Sequence, residues 1–259
     1  MKILLLGDVV GRPGRKIVQQ ELSNLKNIYG PDLTIANCEN ASGGNGLTEK
    51  NAKEFFEWGI DIITMGNHVW DKREILNYID NYPHLVRPAN YPDPCPGKGY
   101  TIYEKNGIFV GVINLSGVIY LNNLNCPFST IDKVIEEISD QCQIIIVDFH
   151  AEATSEKIAM GYYCDGKASL VYGTHTHVQT ADKRILPQGT GYLTDIGMTG
   201  PYDGILGVDK NIIIGQLISK RPAKYEMAEG AVQINGVVVE INDSTGKCEK
   251  LENFIKIIE

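Results

Sequence analysis

Short apolar runs alternate with amphipathic stretches along much of the chain. Lys2–Leu6, Asp32–Cys38, Ile60–Met65 and Gln143–Phe149 have strand length, and Ala168–Tyr172 reads as one more buried strand. Between them, Ile17, Leu22 and Leu25 recur at helical spacing after the turn-rich Val9–Gly14. Thr48 stands as an N-cap for a helix through Phe55, Phe56 and Trp58, and Asp71 as the cap of a helix over Lys72–Ile79. Further helices are predicted from Ser129 or Thr130 through Ile138, over Thr154–Met160 and over 208–218. Strands that alternate with helices in this way indicate βαβ units and a mostly parallel sheet covered on both faces.

The remaining segments read as antiparallel additions. Tyr100–Glu104 and Ile108–Asn114 flank Lys105-Asn106-Gly107, a hairpin signal. Asp182–Leu186 and Thr190–Thr194 flank a second turn, and Ala231–Ile241 pairs with Cys248–Ile258 around Asp243–Gly246. Pro83, Pro88, Pro92, Pro94 and Pro96 mark an ordered surface loop over 83–99, and Asp195–Pro201 a glycine-rich one. A single domain spanning 1–259 is expected, with no internal repeat.

Polar punctuation changes this picture most. The strands end on Asp8, on Glu39, on Asn67 with His68, on His150, and on His175 with His177. Active sites of open α/β sheets form at the carboxyl ends of strands. Only His84, in the proline loop, is left over from the five histidines, and a solvent-facing role suits it. In extended backbone, His175 and His177 would point to the same side, so one small volume could receive two imidazoles. Carboxylates, an amide oxygen and imidazoles without a thiolate suit iron, with manganese or zinc as alternatives. Such a set exceeds what one catalytic ion needs, but two ions about 3.5–4 Å apart, bridged by a carboxylate and a hydroxide, would use it all.

Composition narrows the partners. A net charge of −8 without a basic tract argues against a long nucleic-acid duplex and gives RNA no support, while a small phosphate ester stays compatible because metal ions reverse the local field. No stretch approaches a membrane span and no signal peptide is visible, so a cytoplasmic enzyme is expected, with a homo-oligomer compatible. The six cysteines are scattered, which excludes a zinc ribbon and suits reduced thiols packed as small hydrophobes. Trp58 and Trp70 read as core; Tyr202 is a candidate for stacking on a nucleobase.

Gly66-Asn67-His68, the lone His150 and Gly173-Thr174-His175-Thr176-His177 resemble the sequence blocks of calcineurin-like metallophosphoesterases. Gly7–Gly14, Asn37–Ala41, Gly66–Asp71 and Asp195–Pro201 are similar to one branch, the bacterial YmdB-type phosphodiesterases, over nearly the whole chain. The resemblance implies a four-layer α/β/β/α sandwich with two mixed sheets. It also implies hydrolysis of 2′,3′- or 3′,5′-cyclic nucleotides through a metal-bridging hydroxide. The usual Asp-x-His is here Asp8-Val9-Val10, and by the resemblance Asn40 fills the place of the missing histidine. One ion would then take Asp8, Glu39, Asn40 and His177, and the other Glu39, Asn67, His150 and His175. By the same analogy His68 is catalytic, donating a proton to the leaving alkoxide or stabilising the transition state. Asp148 and Asp195 are candidates for orienting ligand imidazoles, and Ser42 and Gly43 for lining the substrate pocket. A phosphomonoesterase or nuclease on the same scaffold, and a metal-containing regulatory protein, are the alternatives.

Overall fold

In the computed structural model, which describes residues 1–259, β1 (Lys2–Leu6), β2 (Asp8–Val9), α1 (Gly11–Tyr29), β3 (Leu33–Asn37), α2 (Glu49–Trp58), β4 (Ile62–Thr64) and β5 (Leu85–Val86) form the first half of the chain. The second half comprises β6 (Tyr100–Lys105), β7 (Ile108–Ser116), α3 (Pro127–Ile138), β8 (Ile144–His150), α4 (Thr154–Tyr163), β9 (Leu170–Thr174), β10 (Arg184–Ile185), β11 (Gly191–Leu193), β12 (Met198–Pro201), α5 (Lys210–Ser219), β13 (Val232–Ile241) and β14 (Cys248–Ile258). One sheet runs β2-β12-β13-β1-β3-β4-β5 with β14 against β13; the other runs β10-β11-β9-β8-β7-β6. Both are mixed: β1, β3, β4 and β5 are parallel with β13 antiparallel to β1, and β7, β8 and β9 are parallel with β6 antiparallel to β7.

The period of two within each strand builds the layers. In β1, Leu4 and Leu6 join α1 and α2 residues such as Val18, Leu22 and Phe55, whereas Ile3 and Leu5 pack with Val110, Val112, Ile144 and Ile146 of the other sheet. In β8, Val147 and Phe149 instead meet Ile131 and Ile138 of α3 and Met160 of α4. Three cores, one between the sheets and one beneath each helical layer, make the α/β/β/α sandwich. Strands buried on both faces are why the pattern read as continuous apolar runs.

Local signals hold well at the helix ends. Thr48 caps α2 by accepting from the Asn51 amide, and Gly59 closes it at φ 100°. The Asn106-Gly107 turn joins β6 and β7 with φ of 55° and 80°, the left-handed pair that a two-residue hairpin needs.

Several expectations need correction. Residues 72–79 form no α-helix; two 3₁₀ turns, Arg73–Asn77 and Ile79–Asn81, stand there, and the first starts at Lys72 without a side-chain cap. The Asp71 carboxylate is engaged by His68 and Asn45. Of Val9–Gly14, Val9 ends β2 and Gly11–Gly14 opens α1, because proline is tolerated in a first helical turn. Met198–Pro201 is a strand rather than a loop, and the proline-rich stretch begins with β5. That stretch is tied by the Arg87 guanidinium, which donates to the carbonyls of Pro88, Cys95 and Pro96. His84 is half-buried against Tyr103 and 3.0 Å from Thr101 Oγ1, not facing solvent. The cysteines are all free, and Cys126 is exposed where a packed thiol was expected. No helix is long and apolar enough to cross a membrane.

Candidate metal centre

The parallel strands of both sheets deliver their carboxyl ends to one place. Glu39 follows β3, Asn67 and His68 follow β4, His150 ends β8 and His175 follows β9. Gly66 permits the approach: a Cβ there would collide with the Glu39 carboxylate and the His150 ring. Four donor atoms converge as a result. His150 Nε2 lies 2.9 Å from Glu39 Oε1, 3.0 Å from Asn67 Oδ1 and 3.1 Å from His175 Nδ1. Glu39, His150 and His175 form a group able to hold a metal ion, with ligand atoms within 4.8 Å of one another.

The other expected ligands border this cluster. Asp8 Oδ2 accepts from the His175 amide at 3.1 Å, while Asp8 Oδ1 is buried without a hydrogen-bond partner and 3.8 Å from His150 Nδ1. Asn40 donates its amide to the Gly44 carbonyl, which turns Oδ1 toward His177 Nε2 at 3.3 Å.

Hydrogen bonds behind the centre set which atoms face it. Thr174 Oγ1 donates to Asp148 Oδ1 at 2.7 Å and receives His150 Nδ1 at 2.9 Å. That leaves the His150 Nε2 lone pair for the centre. Asp148 thus acts on the imidazole through a threonine, not directly. Asp195 touches no imidazole. It accepts from the Thr176 amide at 3.1 Å and pairs with Lys157 Nζ at 2.7 Å.

The backbone at the two histidines departs from the extended form that the i, i+2 spacing suggested. β9 ends at Thr174, and His175 and His177 then take φ of 96° and 64°. Non-glycine residues there cost on the order of 1–3 kcal/mol each. The turn consequently sends the two rings to different partners, His150 and Asn40. The strain is held by Lys157, which also donates to the Thr174 carbonyl at 2.6 Å, by Asp195 and by Asp8. Gly173 is required at the turn, since a Cβ would strike the Thr194 carbonyl.

Electrostatics follow from burial and proximity. Burial lifts the Asp8 carboxyl to about 8, and the neighbouring Asp195 and Glu39 add to it against the pull of His150. Burial pushes the Glu39 carboxyl up as well, but the His150 imidazole and His68 together outweigh it and hold the group at about 2. Burial opposes charge on His150, yet Glu39 and Asp8 carry it up to about 9. Burial and then His150 depress His175 to about 3. Even in the charged ring, one proton on His150 Nε2 cannot serve three acceptors, and Asp8 Oδ1 has no hydrogen-bond partner at all. The donor set fits metal cations, which would satisfy lone pairs that no proton present satisfies.

A cleft of about 700 Å³ opens over the centre, lined by Glu39, Asn40, Gly43, His68, His175 and His177. Ser42 does not line it; its hydroxyl accepts from the Thr48 amide at 2.9 Å and from Asn51 Nδ2 at 2.6 Å. Tyr225 stands in the cleft wall where Tyr202 was the aromatic candidate. His68 Nδ1 lies 2.8 Å from Asp71 Oδ2, and its amide donates to Glu39 Oε2 at 2.9 Å. Glu152, unmarked in the sequence, places Oε2 3.0 Å from His175 Nε2 and so favours Nδ1 as the atom presented to the centre. Lys157 was equally silent. Its only signal is its place three residues before Met160 on the buried side of α4.

Comparison with known proteins places the fold and the family. A sequence model of the family described as YmdB-like protein matches residues 4–254. The 2′,3′-cyclic-nucleotide 2′-phosphodiesterase of Bacillus subtilis (strain 168) is 53% identical over 255 residues, covering 98% of this chain and 97% of that protein. The crystal structure of a novel phosphatase from Mycoplasma pneumoniae superposes with a TM-score of 0.93 at 36% identity, covering 99% of this chain and 93% of that one. A putative 5′-nucleotidase from Staphylococcus aureus, with a TM-score of 0.61 and 14% identity over 98% of this chain and 54% of that one, shares the fold alone. The family match over residues 4–254 and the 53% identical relative show that the chain belongs to the YmdB-like family.

Proposed function

We propose that residues 1–259 act as one domain that hydrolyses cyclic nucleotides at a dinuclear metal centre, with 2′,3′-cyclic nucleoside monophosphates as the first substrates. The observation that carries this reading is the convergence of Glu39, Asn67 and His175 on His150 Nε2 at the floor of a cleft. The name of the Bacillus subtilis relative supports the cyclic-nucleotide substrate.

Glu39, Asn67, His150 and His175 would hold one ion, and Asp8, Asn40 and His177 would share Glu39 in holding the second. Iron is the first choice for both, with manganese or zinc as alternatives. When bound, the ions would supply Lewis acidity at the phosphate oxygens and a nucleophile at neutral pH.

The chain's own groups then divide the work. Asp71 holds His68 through Nδ1, which leaves Nε2 as the atom to face the substrate. A proton given from Nε2 to the departing ribose oxygen offsets the charge that develops on it. Glu152 and Thr174 keep His175 and His150 in the tautomers that present a lone pair inward. The buried floor keeps water away from donor atoms whose charge is worth more there.

A panel of 2′,3′- and 3′,5′-cyclic nucleotides, bis-p-nitrophenyl phosphate and p-nitrophenyl phosphate, run beside elemental analysis of the freshly purified protein, tests the reading. Diester preference with about two metal ions per chain is expected. Preference for the monoester would replace it with a phosphatase, the reading that the name of the Mycoplasma relative favours.

A further inference from the structure

The wall of the cleft away from the polar floor is apolar, and nothing in the chemistry at phosphorus uses it. Ile205, Leu206, Val208, Ile213, Tyr225 and Met227 line it. It is a built surface. Ile205 and Val208 exchange backbone hydrogen bonds at 2.8 and 3.0 Å across a two-residue turn, and this turn is laced to the 226–228 segment through Asp209 to Glu226 and Ala228 to Gly207. Met227 reaches into the site over Gly11 and Gly44, where a Cβ at either position would press on its thioether end. Tyr225 donates its hydroxyl to Gln216 Oε1 at 2.7 Å, which fixes the ring and leaves its face to the cleft.

The turn itself is unusual. Leu206 has φ 51° and Gly207 φ 88°, a left-handed pair at whose first position Asn, Asp or Gly is the ordinary choice. Leucine there carries strain, and the residue is 49% exposed at the cleft. The left-handed backbone turns the Leu206 peptide toward the His177 imidazole, while the Leu206 and Tyr225 side chains are left exposed on the cleft that holds the metal-ligand donors.

We propose that Leu206, Ile213, Tyr225 and Met227 form the subsite that takes the nucleobase of the substrate, by stacking and apolar contact. This rests on the cyclic-nucleotide reading above. A planar base has an apolar π-face that such a wall suits, and the wall's side chains offer it no free donor with which to read a Watson–Crick edge, the Tyr225 hydroxyl proton being held by Gln216. The subsite therefore tolerates all four bases and discriminates against substrates that lack one.

The test compares kcat/KM for 2′,3′-cyclic AMP with that for 1-O-methylribose 2′,3′-cyclic phosphate, which has the same diester and no base. The metal-loaded full chain and the double variant Leu206→Gly/Tyr225→Ala are used. Glycine relieves the strained turn, and Tyr225 is exposed, so folding is retained. The wild type is expected to prefer the nucleotide by about tenfold or more, mostly through KM, and the double variant to lose that preference. A preference ratio unchanged by the double variant overturns the subsite. If the wild type cleaves neither diester, the diesterase reading has failed, and saturation-transfer NMR with adenosine 3′-monophosphate judges the subsite separately. Transfer to the base protons that disappears in the double variant supports it, and equal transfer overturns it.

Discussion

The Lys157 ammonium lies 2.7 Å from Asp195 Oδ2 with both side chains buried, and it also donates to the carbonyl of Thr174, the residue before His175. An ion pair so placed clamps a turn with two left-handed histidines onto the end of β9. Removing one partner of such a pair leaves a buried charge and costs about 3–5 kcal/mol. Lys157→Met is therefore expected to lower the melting temperature and to reduce metal content, although Lys157 is not a ligand. The double variant Lys157→Met/Asp195→Asn is expected to recover stability. A Lys157→Met protein as stable and as metal-rich as the parent would remove the clamp from the account.

Asp71 read from the sequence as a helix cap, and the structure gives it to His68. His68→Ala is expected to lower kcat by about 10²-fold to 10⁴-fold with metal content unchanged, the range for a lost general acid. Asp71→Asn keeps the imidazole but removes its charged anchor, and a loss of about 10- to 100-fold is expected. Rate measurements on a substrate with a p-nitrophenolate leaving group sharpen the assignment. Such a group needs little protonation, so both losses are expected to shrink on it; losses of the same size on both substrates would speak for a binding role.

The fold was legible because every layer boundary follows an apolar period. Continuous runs such as Ile144–Phe149 can be buried only between two coverings, and the histidine and carboxylate punctuation at their ends marks residues that the fold brings together at His150. What escaped was tertiary. Lys157 on a helix and Glu152 in a loop look like ordinary solvated charges until the fold brings them to Asp195 and His175. The i, i+2 spacing of His175 and His177 suggested extended backbone, and only the contacts of Asp8, Lys157 and Asp195 impose the left-handed turn instead. Residues 72–79 have helical spacing, yet Asp71 is withdrawn as their cap by His68 and Asn45, and 3₁₀ turns result.

His84 offers a pH dependence away from the centre. Burial lowers its pKa from the ordinary 6.5, against a smaller opposing pull from Asp61. The folded state thus favours the neutral ring. Its contribution to stability is complete above the unfolded value and is lost as pH falls through 6.5 toward the folded value. An NMR titration is expected to place its midpoint below 6.5. His84→Gln is expected to flatten the fall in melting temperature between about pH 7 and pH 5. A midpoint at or above the ordinary value would mean that the Thr101 and Tyr103 contacts do not desolvate the ring.

Glu39 would join the two halves of the proposed centre. Its Oε1 faces His150 Nε2 while its Oε2 receives the His68 amide, so one carboxylate touches the ligand cluster and the residue placed at the leaving group. A metal that binds only the folded chain stabilises it by about 2.7 kcal/mol at a hundred times its dissociation constant. For a chain of this size that corresponds to a melting-temperature rise of roughly 5–10 °C. Metal-stripped protein titrated with manganese is expected to show this rise together with the return of diesterase activity. Glu39→Gln keeps the shape but removes the charge that both ions would share, and it is expected to lose both responses. Asn40→Ala touches only the half of the centre with Asp8 and His177, and it is expected to keep a smaller rise while losing activity. If Glu39→Gln retains the full rise and Asn40→Ala abolishes it, the carboxylate is not shared between the ions, and Asn40 rather than Glu39 anchors the centre.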